Sequence, residues 1–236
     1  MSDRRHARMA GAWQPLGDPD HHRMSHVQRT RIKWCGFTRV ADVTAAVAAG
    51  VDAIGLNFAR GPRRISPELG AELTRSMPPF IQAVALFVDA DEAHIRGVLA
   101  TTRCTAVQLH GDEPPELAAC LRRDVPVIKA ARIGSLADLE RLRGYPADAF
   151  LLDAYVSGAH GGTGHAWDHG LLAGVDLGVP LILAGGLTPA TVAAAIHRVL
   201  PYGVDAASGI ESAPGIKDPA LMRAFAAAVY TAKASD

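Results

Sequence analysis

From residue 30 onward the chain repeats one unit: a short apolar run, a polar turn, then an Ala/Leu-rich stretch of helical period. The runs are RIKWC (31–35), DAIGLNF (52–58), QAVALFV (82–88), AVQLH (106–110), VPVIKA (125–130), AFLLDA (149–154), PLILAG (180–185) and GVDAAS (203–208). Helical patterns fall near 40–49, 67–76, 91–100, 114–122, 135–143, 168–173, 189–199 and 218–232. Ser66 and Thr188 each precede a proline suited to a first helical turn, and Asp91-Glu92 place anions in another. Runs without strict alternation are buried on both faces, and parallel pairing needs a crossover, which the intervening helices supply. Eight such units predict an α/β chain closed into a single (β/α)8 TIM barrel, at close to the typical length of that fold. The rival is an open doubly wound sheet, which wants GxGxxG after its first strand, where residues 35–40 read CGFTRV.

The barrel assigns residues 29–236 to one catalytic domain. Residues 1–28 are polar, with glycine, proline and paired histidines but no apolar period, and read as a disordered extension. Among the 236 residues, 24 Lys+Arg balance 24 Asp+Glu, so bulk electrostatics select neither a nucleic acid nor a membrane surface as partner. No segment approaches the ~18 uninterrupted apolar residues of a membrane span, and none has the apolar core of a signal peptide. Cys35, Cys104 and Cys120 form no CxxC pair and suit a reducing cytosol, so the expected location is cytoplasmic.

Active sites of this architecture gather at the C-terminal ends of the strands. Those ends carry Cys35, the 57–65 loop, Asp89, His110, Lys129 with Arg132, Asp153, Gly185-Gly186 and Ser208-Gly209. The loops AGGLTP (184–189) and ASGIES (207–212) close the last two strands, where barrels often bind phosphate through backbone N–H groups and a helix N-terminus. Asp153 is placed to act as an acid or base, or else to cap a turn. The following loop GAHGGTG is too glycine-rich to be rigid alone and reads as a mobile cover. Arg63, after the Gly-Pro turn of FARGPRRIS, can fork onto a carboxylate or phosphate or simply be solvated. His160, His165 and His169 cluster in sequence, but their spacing follows a glycine loop rather than one helix face, which argues against a metal site. A lone cysteine such as Cys35 is most often a small core residue.

KWCG, FARGPRRIS, VQLHGDE, LLDA, GGTG, AGGLTP and VDAASGIESAPGIKD occur in the order found in phosphoribosylanthranilate isomerases of tryptophan biosynthesis, and the chain resembles that family over about residues 31–232. The resemblance implies a general base at Cys35, a general acid at Asp153, substrate contacts at Arg63 and His110, and phosphate loops at Gly185, Gly186, Ser208 and Gly209. It implies an Amadori rearrangement of N-(5-phosphoribosyl)anthranilate to 1-(2-carboxyphenylamino)-1-deoxyribulose 5-phosphate, without metal or organic cofactor, by a monomer or homodimer. Trp34 stands where the family has an aliphatic residue, Gly61 where it has serine, Thr191 where it often has Asn, and Ala207 beside Ser208 where serine is frequent.

In that reaction the ring oxygen must gain a proton as the ribose opens to a Schiff base, a task for protonated Asp153. A base must then remove the C2 proton, and a thiolate does this if nearby positive charge lowers its pKa from ~8.5. Arg63 can supply that charge or hold the anthranilate carboxylate. Alternation on the first strand turns Trp34 away from the barrel interior if Cys35 points in, and Gly36 reads as room for substrate or a turn beside the thiol. Two rivals remain: the related sugar-phosphate isomerase of histidine biosynthesis, which uses a pair of aspartates and no such cysteine, and a non-catalytic barrel that only binds a phosphorylated ligand.

Overall fold

The computed structural model describes residues 29–153, 172 and 174–232. Strands β1 (Arg31–Cys35), β2 (Ala53–Asn57), β3 (Gln82–Phe87), β4 (Ala106–Leu109), β5 (Val127–Arg132), β6 (Ala149–Asp153), β7 (Leu181–Ala184) and β8 (Gly203–Ala206) pair in chain order, all parallel, and β8 closes on β1. The helices packed around them are α1 (Val40–Ala48), α2 (Pro67–Arg75), α3 (Glu92–Thr101), α4 (Pro115–Leu121), α5 (Leu136–Glu140), α6 (Val192–Val199) and α7 (Pro219–Thr231). The barrel predicted from the eight repeats is the fold observed. The expected helix at 168–173 (apart from Leu172), the GAHGGTG loop, the three clustered histidines and the 1–28 extension lie outside the described residues.

Two apolar layers hold the barrel. The inner one, from strand residues facing the axis, is built of Val84, Ile128, Leu151 and Ile182 with small Ala106, Ala130 and Ala184. The outer one lies between strands and helices, and Trp34 shows how strand alternation feeds it. Trp34 is fully buried and packs edge-on to Phe225 of α7, ring centroids 6.0 Å apart and planes at 76°. This is the outward orientation that its parity with Cys35 predicts. Burial of so large a ring outweighs the loss at its Nε1, which finds no hydrogen-bond partner among the described residues.

The helix starts follow local chemistry. Ser66 accepts the Leu69 N–H at 3.3 Å ahead of Pro67, and Asp91 accepts the His94 N–H at 2.7 Å, as their sequence positions predict. The Thr188-Pro189 signal fails in detail. Regular α6 begins at Val192 behind Thr191, because the Thr191 hydroxyl oxygen accepts the Thr188 N–H at 3.0 Å and turns the intervening residues into a separate loop. One element carries no periodic signature: after a 3-10 turn at Ser208–Ile210, strands β9 (Glu211–Ala213) and β10 (Ile216–Lys217) form an antiparallel hairpin over the C-terminal mouth of the barrel.

Candidate active site

Inward parity on β1 places Lys33 and Cys35 on the barrel axis. Cys35 stands opposite Gly55 of β2, where an added Cβ would lie 2.7 Å from the sulfur. Gly55 is therefore the space that the thiol occupies. Around it opens a cavity of about 350 Å³ at the C-terminal end of the strands. Its floor and walls carry Cys35, Gln108, His110, Asp153 and Asp205, and its rim is made by Gly185, Gly186, Ala207 and Ser208. Six of the residues singled out from the sequence, Cys35, His110, Asp153, Gly185, Gly186 and Ser208, thus meet in one cleft, although β1, β4, β6, β7 and β8 supply them.

The last two strand ends are shaped by glycine where the backbone demands it. Gly185 and Gly186 have φ of +105° and +63°, in the left-handed region that side chains disfavour. Gly209 lies so close to the Leu187 carbonyl that any side chain would strike it, which seats the β8 turn directly on the β7 loop. The described lining residues from these two loops, Gly185, Gly186, Ala207 and Ser208, are all uncharged, the kind of surface that accepts a phosphate through N–H groups.

Arg63 and Gly36 meet beside the cleft. Arg63 does not line the cavity. Its Nε donates to Glu211 Oε1 at 2.8 Å and its Nη2 to Oε2 at 2.5 Å, so the hairpin carboxylate occupies the fork. Its aliphatic stem lies against Gly36, which has φ +83°, so of the two readings of Gly36 the structure shows the turn, with Arg63 packed in the space a side chain would need. Lys217, fully buried, completes the arrangement by donating to Glu211 Oε1 at 2.8 Å, to the Cys35 carbonyl at 2.6 Å and to the Ala207 carbonyl at 3.2 Å. The Arg63–Glu211–Lys217 chain ties the loop after β2, the hairpin and the ends of β1 and β8 into one frame. Burial pushes the Glu211 carboxyl up, but the bonds from Arg63 and Lys217 hold it below the usual carboxylate range.

Burial also sets the charge of the groups in the cleft. It pushes the Cys35 thiol above its ordinary value, opposed most by Lys33 and less by Lys217 and Arg63, while Asp205 adds to the rise. His110 is pulled below its usual value by burial and by Lys33, so its ring is neutral at pH 7. Its Nδ1 lies 2.9 Å from Gln108 Nε2; with the amide as assigned, Gln108 donates and the ring proton sits on Nε2. Asp153 spans wall and rim at the end of β6. Other strand-end candidates are structural. Asp89 accepts the Asp112 N–H at 2.7 Å, and buried Lys129 pairs with Glu113 at 2.7 Å. A larger opening of about 560 Å³ adjoins the cleft through His110 and runs over Lys129 and Arg132 to Tyr145. Among the described residues no group of three His, Cys, Asp or Glu is placed to hold a metal ion.

The sequence reading passed over Lys33, Gln108, Asp205, Glu211 and Lys217. For Lys33 and Gln108 the signal was present, since each lies two residues before a strand-end candidate, Cys35 and His110, and so shares its inward face.

A family profile described as N-(5'phosphoribosyl)anthranilate (PRA) isomerase matches residues 32–228. A relative from Geotalea uraniireducens, an N-(5'-phosphoribosyl)anthranilate isomerase, is 48% identical over 199 residues, covering 83% of this chain and 96% of its own. The crystal structure of phosphoribosyl anthranilate isomerase from Thermotoga maritima superposes with a TM-score of 0.79 at 36% identity, over 85% of this chain and 98% of the other. A phosphoribosyl anthranilate isomerase solved with reduced 1-(o-carboxyphenylamino)-1-deoxyribulose 5-phosphate superposes with a TM-score of 0.78 at 34% identity, over the same shares of 85% and 98%.

Proposed function

The chain belongs to the N-(5'-phosphoribosyl)anthranilate isomerase family, and from that premise we propose that its isomerase reaction runs on Cys35 as general base and Asp153 as general acid. The enzyme carries out the Amadori rearrangement of phosphoribosylanthranilate, a step of tryptophan biosynthesis. The observation that carries the assignment of roles is that a thiol and a carboxyl, from strand ends β1 and β6, line one cleft whose rim is the pair of glycine-bearing loops after β7 and β8.

The rearrangement needs two proton movements on one substrate. Asp153 gives a proton to the ribose ring oxygen as the anomeric carbon becomes a Schiff base with the anthranilate nitrogen. The Cys35 thiolate then removes the C2 proton, and the C2–H electron pair forms the C1–C2 double bond of an enolamine. Protonation at C1 and loss of the O2 proton give the ketone. Every step is a proton transfer, so the chemistry asks for neither metal nor organic cofactor. The substrate phosphate rests on Gly185, Gly186, Ser208 and Gly209, and neutral His110 offers a hydrogen bond from the wall between the two openings. Arg63, already forked onto Glu211, acts as frame. The same reading gives the enzyme a cytoplasmic location and a monomeric or homodimeric form; among the described residues no helix is long and apolar enough to cross a membrane.

The test is a fluorescence assay following the loss of phosphoribosylanthranilate in buffer containing a chelator. Turnover is expected. Persistence of the substrate refutes the isomerase reading, and activity that vanishes only with chelator refutes the metal-free mechanism. The phosphate role has its own check in Gly209→Ala. The new Cβ forces the β8 turn off the Leu187 carbonyl, at an overpacking cost of about 1–3 kcal/mol. Because the phosphate is remote from the reacting carbons, KM is expected to rise several-fold with a smaller change in kcat. Unchanged KM in a folded Gly209→Ala enzyme removes the phosphate from this turn.

A further inference from the structure

Beneath the thiol lies an ion pair with no part in the frame described above. Lys33 Nζ meets Asp205 Oδ2 at 3.0 Å, and the two side chains are only 5% and 10% exposed. They face each other in the β1–β8 register, Lys33 opposite Asp205, one alternation below Cys35. Asp205 is half satisfied, its Oδ1 having no hydrogen-bond partner among the described residues although it borders the cleft. A buried ion pair contributes little to stability compared with apolar replacements of the same volume. Its position next to the proposed base suggests another use.

Assuming Cys35 is the base of the isomerisation, we infer that Lys33 is the positive charge that allows the buried thiol to ionise, and that Asp205 positions and moderates it. The charged groups acting on Cys35 come from each surrounding element: Lys33 from β1, Asp205 from β8, Lys217 from β10 and Arg63 from the loop after β2. Arg63 and Lys217 share Glu211, which spends their charge on the frame. Among the described residues Lys33 pairs with one carboxylate, Asp205, and that one is itself pushed toward its neutral form by burial. Although burial opposes the ammonium, Asp205 and the Cys35 sulfur together hold Lys33 charged. Of the two members of the pair, Lys33 weighs more on the thiol, favouring its ionised form, and Asp205 less, opposing it. Lys33 and Asp205 are positioning residues here, acting on substrate through Cys35.

The inference gives the two members opposite signs, which a merely structural pair does not. The readout is the pH midpoint for alkylation of Cys35 by iodoacetamide, followed by peptide mass mapping so that Cys104 and Cys120 do not interfere. Asp205→Asn is expected to lower the midpoint, and Lys33→Met to raise it by on the order of one pH unit. Lys33→Met/Asp205→Asn, which leaves no lone buried charge, is expected to lie above the wild type. In that double variant kcat at neutral pH falls about tenfold, KM stays close to the wild-type value, and activity recovers as the pH is raised. Should Lys33→Met alone not fold, the other two variants still order the midpoints. Equal midpoints, or an Asp205→Asn midpoint above the wild type, overturn the inference. Failure of the underlying reading looks different: wild-type turnover in a Cys35→Ala enzyme, whatever the midpoints.

Discussion

Replacing Cys35 with alanine is expected to lower kcat by roughly 10²- to 10⁴-fold, the usual cost of losing a positioned acid or base. The fold should tolerate the change. Cys35 is a free thiol that fits against Gly55, and alanine removes a sulfur without adding bulk. The glycine loops after β7 and β8 are untouched, so affinity for a phosphorylated product analogue should persist. The pH profile supplies a second signature. Burial raises the thiol above its ordinary value, and the base works only when deprotonated. Wild-type kcat/KM should therefore climb with pH through and above the usual thiol range, and this limb should vanish in Cys35→Ala. Near-wild-type turnover in the variant would end the assignment of Cys35.

Asp153→Asn is expected to cost a similar roughly 10²- to 10⁴-fold in kcat for a different reason. Asparagine keeps the shape of the aspartate but has no carboxylic proton to give the ribose ring oxygen. The backbone carbonyl of residue 153 accepts the Ile133 N–H at 3.2 Å whatever the side chain, so the end of β6 should stay in place. Circular dichroism and the affinity for a phosphorylated product analogue are expected to match the wild type. Full activity in Asp153→Asn would shift the acid to another group of the cleft. If both variants lost nothing, the proton transfers would belong to other groups, and Cys35 and Asp153 would not be the catalytic pair.

The fold was legible because each strand end is a local event. RIKWC reads as β1 to the residue, and its parity sends Trp34 under α7 and Cys35 into the axis. The α6 start was misread because Thr188 and Pro189 look like a cap and a first turn, while the Thr191 hydroxyl three residues on accepts the Thr188 N–H and the regular helix begins only at Val192. The β9–β10 hairpin was invisible for another reason. ESAPGIK has almost no apolar alternation, and the segment is held by bonds from Lys217 to the carbonyls of Cys35 and Ala207 and by the fork of Arg63 on Glu211.

The candidate site divides along the same line. Periodicity of two along strands and near four along helices is written into neighbouring residues, so strand count, parallel order and the set of side chains at the C-terminal mouth can be read without coordinates. The charge carried by each of those side chains cannot. Arg63 meets its carboxylate 148 positions away and Lys33 meets its own 172 positions away, and in each case burial decides what the contact is worth. An arginine whose partner is open in the sequence is seen to fork onto the Glu211 carboxylate. A lysine that reads as one more polar residue in RIKWC becomes the charge beneath the thiol once β8 brings Asp205 to it, because electrostatic effects grow as water is excluded and closure of the barrel is what excludes it.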